Sequence, residues 1–364
     1  MPYPRIIAVL GLSLCGIVAS AQSADQLLSD GHYLRAEKLV RVALQRDPND
    51  VHALVNLSVV DWSFNRFDAA IANAEKAVAN APNSVEAHSH LADALGAKLV
   101  SSDAGTIAKI ALAHRFRKEV DRTLELDPNN VDSLQDLAQF YWHAPGMLGG
   151  DKTKARQTAD KLFGISPFRG ASARADFLTD ETDANRRVAA TTAVWHTAIA
   201  ANANDYDSHS ALAATLLEQT GDQKLLAEAE SEANRARTLD GGRIGAYNSL
   251  AIVYARSGRW SELDTLLKQA KAAVPEDHAP GYRVAVAILN GNMSAQLQRA
   301  AELLQEYLSH PVEGEEPTHA RAHWRLGQVL EKQGRKSDAV RELQTAVQMD
   351  GSLDGAKKDL KRLS

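Results

Sequence analysis

Cysteine is nearly absent: Cys15 is the only one in 364 residues, and it lies in an apolar stretch near the amino terminus. Beyond it the chain can build no disulfide, thiolate nucleophile or zinc–thiolate site. Aromatic residues make up only 5%, and alanine is abundant. Helices packed at close range fit that balance better than a β-sandwich. Basic charge is not in excess, since 41 lysines and arginines face 46 acids for a net charge of −5. Nucleic acid would require a basic stripe that this chain lacks. No G-x-S-x-G elbow occurs either, and the acids lie on polar helix faces, so the sequence predicts no catalytic residue and no cofactor.

Long apolar runs are missing too. The longest, Ile6 to Val18, has 13 residues, too few to cross a hydrocarbon core of about 30 Å as a helix. With Arg5 before it and Ala19-Ser20-Ala21 after it, the run has the three parts of a secretory signal peptide. Residues 1–21 are therefore expected to be removed by a cut between Ala21 and Gln22, leaving a periplasmic or secreted chain without a membrane span. Leu14 precedes Cys15, where a lipid-anchor signal has a small residue. The mature chain would contain no cysteine.

What the chain has instead is a repeat of about 34 residues. In 244–277, Leu250, Ala251, Tyr254, Gly258, Trp260, Leu263, Leu267, Ala270 and Pro275 fall at fixed offsets. A second copy has Leu326, Gly327, Leu330, Gly334, Ala339, Leu343 and Ala346; a third has Leu57, Phe67, Ala70, Ala74, Ala77 and Pro82. Apolar residues recur at helical spacing within each unit. Gly31, Gly258 and Gly334 stand where a first helix ends, and "DPND", "APNS", "DPNN" and "LDGG" punctuate the units.

These residues resemble the tetratricopeptide repeat, and with the leader the whole resembles an exported bacterial protein of that kind. The resemblance implies an all-α solenoid, a right-handed superhelix of antiparallel helix pairs. Nine units are expected over 22–353: 22–50, 51–84, 85–130, 131–169, 170–205, 206–243, 244–277, 278–319 and 320–353. Insertions near 97–112 and 145–150 interrupt the period, the first unit has a short leading helix, and 353–364 forms a capping helix.

Three local patterns compete with a structural explanation. "GMLGGDKT" at 146–153 approaches a phosphate-binding P-loop, but Asp151 stands where the last glycine belongs, and a helix rather than a strand precedes it. It reads as an enlarged turn, and Pro145, Gly146, Met147, Leu148, Gly149 and Gly150 form a possible contact loop. His319 and His323 have metal-ligand spacing but no third ligand beside them, so no metal is expected. Arg115, Arg117 and Lys118 form a basic cluster that fits a solvated face.

The resemblance also places a binding groove. The second, fifth, ninth, twelfth and thirteenth residues of a unit face the concave surface. These include His52 and Trp62, then Ser89 and Asp93 with His90 adjacent, then Gln135, Gln139, Trp142 and His143. Val55, Val59 and Asp93 occupy the offsets where this family's carboxylate clamp has lysine, arginine and asparagine, so a C-terminal carboxylate is a poor ligand here. The expected function is a non-catalytic protein-interaction scaffold of the cell envelope that holds a peptide segment or protein domain. The alternative is a structural solenoid that bridges or oligomerises without a selective groove.

Overall fold

The computed structural model describes residues 22–101, 105–219 and 221–364; the expected signal segment lies outside them. All regular structure among the described residues is helical. The helices follow one another as antiparallel pairs. Short α1 (Ala24–Ser29) precedes α2 (Tyr33–Arg46), α3 (Val51–Ser63) pairs with α4 (Phe67–Asn80), and α5 (Val85–Ser101) with α6 (Thr106–Leu126). Then come α7 (Val131–His143) with α8 (Lys152–Ile165), α9 (Pro167–Asp176) with α10 (Ala184–Ala201), and α11 (Tyr206–Leu216) with α12 (Gln223–Leu239). The last pairs are α13 (Ile244–Arg256) with α14 (Trp260–Ala273), α15 (Ala279–Asn290) with α16 (Leu297–Leu308), and α17 (His319–Lys332) with α18 (Lys336–Met349). A final helix, α19 (Asp354–Leu363), packs on α18.

Local chemistry explains the punctuation. The turn within a pair needs one left-handed residue. Gly31, Gly221, Gly258 and Gly334 supply it with φ of +86°, +89°, +67° and +78°, and Asn65 and Asn292 do so with 57° and 50°. Between pairs, an Asx turn breaks one helix and a polar side chain caps the next. Asn49 N–H donates to Asp47 Oδ1 at 2.9 Å, and Ala53 N–H to Asp50 Oδ1 at 3.1 Å. Asp127 and Asn130 repeat the arrangement ahead of α7, and Asn202 and Asp205 ahead of α11. Alanines at the crossings (Ala70, Ala77, Ala155, Ala159, Ala251) are completely buried, which lets helix axes approach closely.

Arg256, in contrast, is not the free surface residue that the repeat register implies. Its Nη1 donates to the carbonyls of Leu217 and Gln219 at 2.8 and 3.0 Å, covering the end of α11.

The superhelix also brings its first pair against a late turn. Leu34 N–H donates to Glu313 Oε1 at 2.9 Å, across 279 positions of sequence. His32 Nδ1 and Arg35 Nε lie 2.8 and 2.6 Å from Glu276 Oε1, close enough for charge pairing though not aligned as hydrogen bonds. Gly314, at φ +50°, lies under the Tyr33 ring; a β-carbon there would fall 2.4 Å from Tyr33 Cδ2. The turn after α16 thus joins repeat eight to repeat one.

Candidate functional site

The concave side of repeats two to five encloses a chamber of about 1200 Å³. Its geometry starts with the insertion in the third repeat. α5 and α6 run to 17 and 21 residues, against 13 and 14 for α3 and α4, so they project beyond their neighbours as a wall. Gly96 lets them meet: a β-carbon there would lie 3.0 Å from the Phe116 ring. Trp62, Leu99, Ile110, Phe116, Phe140 and Leu148 give the chamber its apolar walls. Trp62 is half-buried, one side of its ring on the Ile71–Leu91 core cluster. Val100 lines the chamber and is 85% exposed, while Ile107 on α6 and Met147 on the turn after α7 are 86% and 89% exposed.

The rest of the lining is polar and acidic. α5 contributes His90 and Asp93, α7 contributes Asp132, Gln135, Asp136, Gln139 and His143, and α9 contributes Arg169 and Asp176. His90 Nδ1 and Asp93 Oδ2 lie 3.0 Å apart, His143 Nε2 and Asp176 Oδ2 2.7 Å, and Arg169 pairs with Asp132. Burial lowers the His90 pKa, but the Asp93 carboxylate outweighs it and the net shift is upward. Asp136 has no cation in contact; its carboxyl lies within hydrogen-bond reach of Asp93. Burial, then the charges of Asp93 and Asp132, push its carboxyl well above the usual range. Its Oδ2, like Oε1 of neighbouring Gln135, is sealed from solvent with no donor in contact except the proton that Asp136 can share with Asp93.

Of the nine groove residues expected from sequence, the fold brings Trp62, His90, Asp93, Gln135, Gln139 and His143 to this chamber. The other three lie elsewhere. His52 bridges helices, with Nε2 2.8 Å from Asp25 and Nδ1 3.2 Å from Glu86. Ser89 is buried and donates to Asn130 Oδ1 at 3.4 Å. Trp142 turns away, stacked on Phe177 at 4.3 Å with Nε1 donating to Asp180, and Lys152 and Arg156 over its ring. Asp136, Arg169, Lys109 and Glu315 also line the chamber without having been anticipated. Asp132 was within reach, since it is the second residue of its unit; Glu315 arrives only through the long-range turn contact.

The glycine-rich loop has a structural explanation for its shape. Residues 146–148 form one 3-10 turn, and Asp151 accepts from Thr153 N–H and Lys154 N–H at 2.9 and 3.1 Å. The amides that would cradle a phosphate at the start of α8 are therefore engaged by a carboxylate. Pro145 and Leu148 line the chamber. His319 and His323 are separately engaged, by the His310 carbonyl at 2.9 Å and by Glu342 at 2.6 Å. Among the described residues no group of three or more histidines, cysteines or acids could hold a metal ion. In the basic cluster, Arg115 pairs with Glu75 and Arg117 with Asp121.

Residues 22–84, 60–98 and 294–353 match the tetratricopeptide repeat family model. No curated protein is similar enough to this chain to count as a match. Among solved structures it is similar to a tetratricopeptide repeat protein from Parabacteroides merdae, with 15% identity and a TM-score of 0.48, over 75% of this chain and 98% of that one. Yeast Tom70 gives 15% identity and a TM-score of 0.45 over 93% and 79% of the two chains. A thermophilic repeat protein from Thermus thermophilus gives 19% and 0.45 over 53% and 95%. The matched stretch 22–98 contains the chamber's Trp62, His90 and Asp93.

Proposed function

We propose that the chain is a non-catalytic protein-interaction scaffold that holds an internal segment of a partner protein in the chamber between repeats two and five. The observation that carries this reading is a set of exposed apolar residues, one lining the chamber and two adjacent in sequence to lining residues. Val100, Ile107 and Met147 are the most exposed large apolar residues described, and they cost solvation unless a protein surface covers them. Within the chamber, aromatic and aliphatic side chains lie with amides and acids, the mixture that anchors partner side chains. Such depth favours a selective site over the bridging role of a plain solenoid. Asp93, at a clamp offset, would repel a chain-terminal carboxylate, so the partner segment is internal. On the strength of its leader pattern, the chain acts in the cell envelope after export as a periplasmic or secreted protein.

The test is a photo-crosslinking amino acid placed at Val100 and, as control, at Thr265 on exposed α14. The expected result is an adduct from Val100 alone, mapping to one internal stretch of one envelope protein and competed by the synthetic stretch. Adducts from both positions, or from Thr265 only, would move the interface off the chamber. Mass spectrometry of the native chain should find Gln22 first; an intact Met1 on cytoplasmic protein would remove the envelope assignment.

A further inference from the structure

We propose that the chamber selects a basic side chain: a lysine or arginine of the partner whose cationic head lies among Asp93, Asp132 and Asp136 while its neighbours cover the apolar wall. This rests on the chamber being the partner site, and it names the chemistry read there.

The first support is charge. Five carboxylates line the chamber (Asp93, Asp132, Asp136, Asp176 and Glu315) against two permanent cations, Lys109 and Arg169. Even with a proton held on Asp136, four carboxylates face two cations, so with histidines neutral two negative charges are in excess. Arg169 is held by Asp132, His90 by Asp93 and His143 by Asp176, which leaves Asp136 and Glu315 without a cation in contact. A phosphate, nucleotide or acidic segment would add charge of the wrong sign.

The second support is an unfilled donor requirement. Gln135 Oε1 and Asp136 Oδ2 are acceptors on adjacent residues of α7, and both are buried with no donor in contact except the proton that Asp136 can share with Asp93. Buried acceptors are normally satisfied. An ammonium offers three N–H donors and a guanidinium five, with no acceptor that would need its own partner. A neutral hydroxyl could fill one acceptor but would leave the charge uncompensated.

Shape is the third support. Lysine and arginine carry their charge on an aliphatic stem that packs on apolar surface. Here Trp62, Phe116 and Phe140 line the same chamber as the acids, so one side chain meets both surfaces.

The experiment pans phage-displayed random dodecapeptides on the mature chain and on Asp136→Asn. Clones selected on the wild type should share a lysine or arginine flanked by apolar residues. Replacing that residue by norleucine in the synthetic peptide should weaken wild-type binding at least tenfold, and Asp136→Asn should lose most of that discrimination. Burial and the neighbouring acids disfavour the Asp136 carboxylate, so the thermal midpoint of Asp136→Asn should not fall. If it does, the norleucine comparison on wild type and on Asp93→Asn decides instead. Selected peptides that bind in the chamber without a basic residue, or equal affinity for the norleucine peptide, would overturn the cation assignment and leave the chamber reading standing. Failure to enrich any peptide that contacts Val100 would remove both.

Discussion

At the scale of single residues, backbone clearance separates positions that look alike in the sequence. Gly146 and Gly150 both belong to the glycine-rich turn. A β-carbon at Gly146 meets open space, whereas at Gly150 it would fall 1.7 Å from the Ala144 carbonyl oxygen. Gly150→Ala should therefore destabilise by more than ~1 kcal/mol, because the native backbone cannot accept it, while Gly146→Ala should be close to neutral. Urea midpoints of the two variants check this; equal values would mean the turn has another conformation. Ala251 poses the related question inside a helix. It is completely buried at the α13 crossing, so Ala251→Leu should cost about 1–3 kcal/mol by overpacking. Arg256→Leu should also destabilise, because it would uncover the Leu217 and Gln219 carbonyls.

At the scale of elements, the start of α8 shows how a helix terminus can look like an anion site and serve itself. Asp151 occupies the amides of Thr153 and Lys154. Asp151→Ala should lower stability by about 0.5–2 kcal/mol, whereas Asp151→Asn, which keeps the acceptor, should lose much less. Thermal denaturation in phosphate and in an uncharged buffer checks both halves: a phosphate-dependent rise for the wild type would restore the P-loop explanation.

The same element scale shows what was legible in sequence. Helix pairs could be read from apolar periodicity, small residues and turn chemistry, because each pair is held chiefly by its neighbours. The chamber was legible only in part. Offsets located Trp62, Gln135 and Gln139, but not Trp142, which Phe177 and Asp180 draw to the other side. That choice is made by the 3-10 segment at 177–180 in an irregular repeat, where the period carries no information.

At the scale of the whole molecule, the contact between the first and eighth repeats is the least local feature and the one most sensitive to pH. Glu313 is 4% exposed where it accepts the Leu34 N–H. Burial pushes its carboxyl up to about 7; the Leu34 amide works against this and the charge of Glu276 adds to it. The sign follows from linkage. A pKa raised in the folded state means that the fold holds the proton more tightly than the unfolded chain does. The contact is then strongest below about pH 4.5, where both states are protonated, and weakens as pH rises through 7. Two and a half pH units correspond to at most about 3 kcal/mol. Glu276 works in the opposite direction. Burial would raise its pKa, but His32 and Arg35 hold it below the usual range, so its contribution disappears only at acid pH. Tyr33, Arg35, Arg243, Asp277, Glu315 and Glu316 also face this region. Asp277, buried and beside Glu316, is raised as well, so a bare pH profile would mix two carboxyls. Glu313→Gln separates them, since the amide oxygen can still accept from Leu34 while its proton balance no longer changes. Between about pH 5 and pH 8 the wild type should lose more thermal stability than Glu313→Gln, and its radius of gyration by small-angle scattering should rise as the turn releases repeat one. Parallel pH profiles for the two proteins would mean that Glu313 is already ionised in the folded state and that the closure does not depend on its proton.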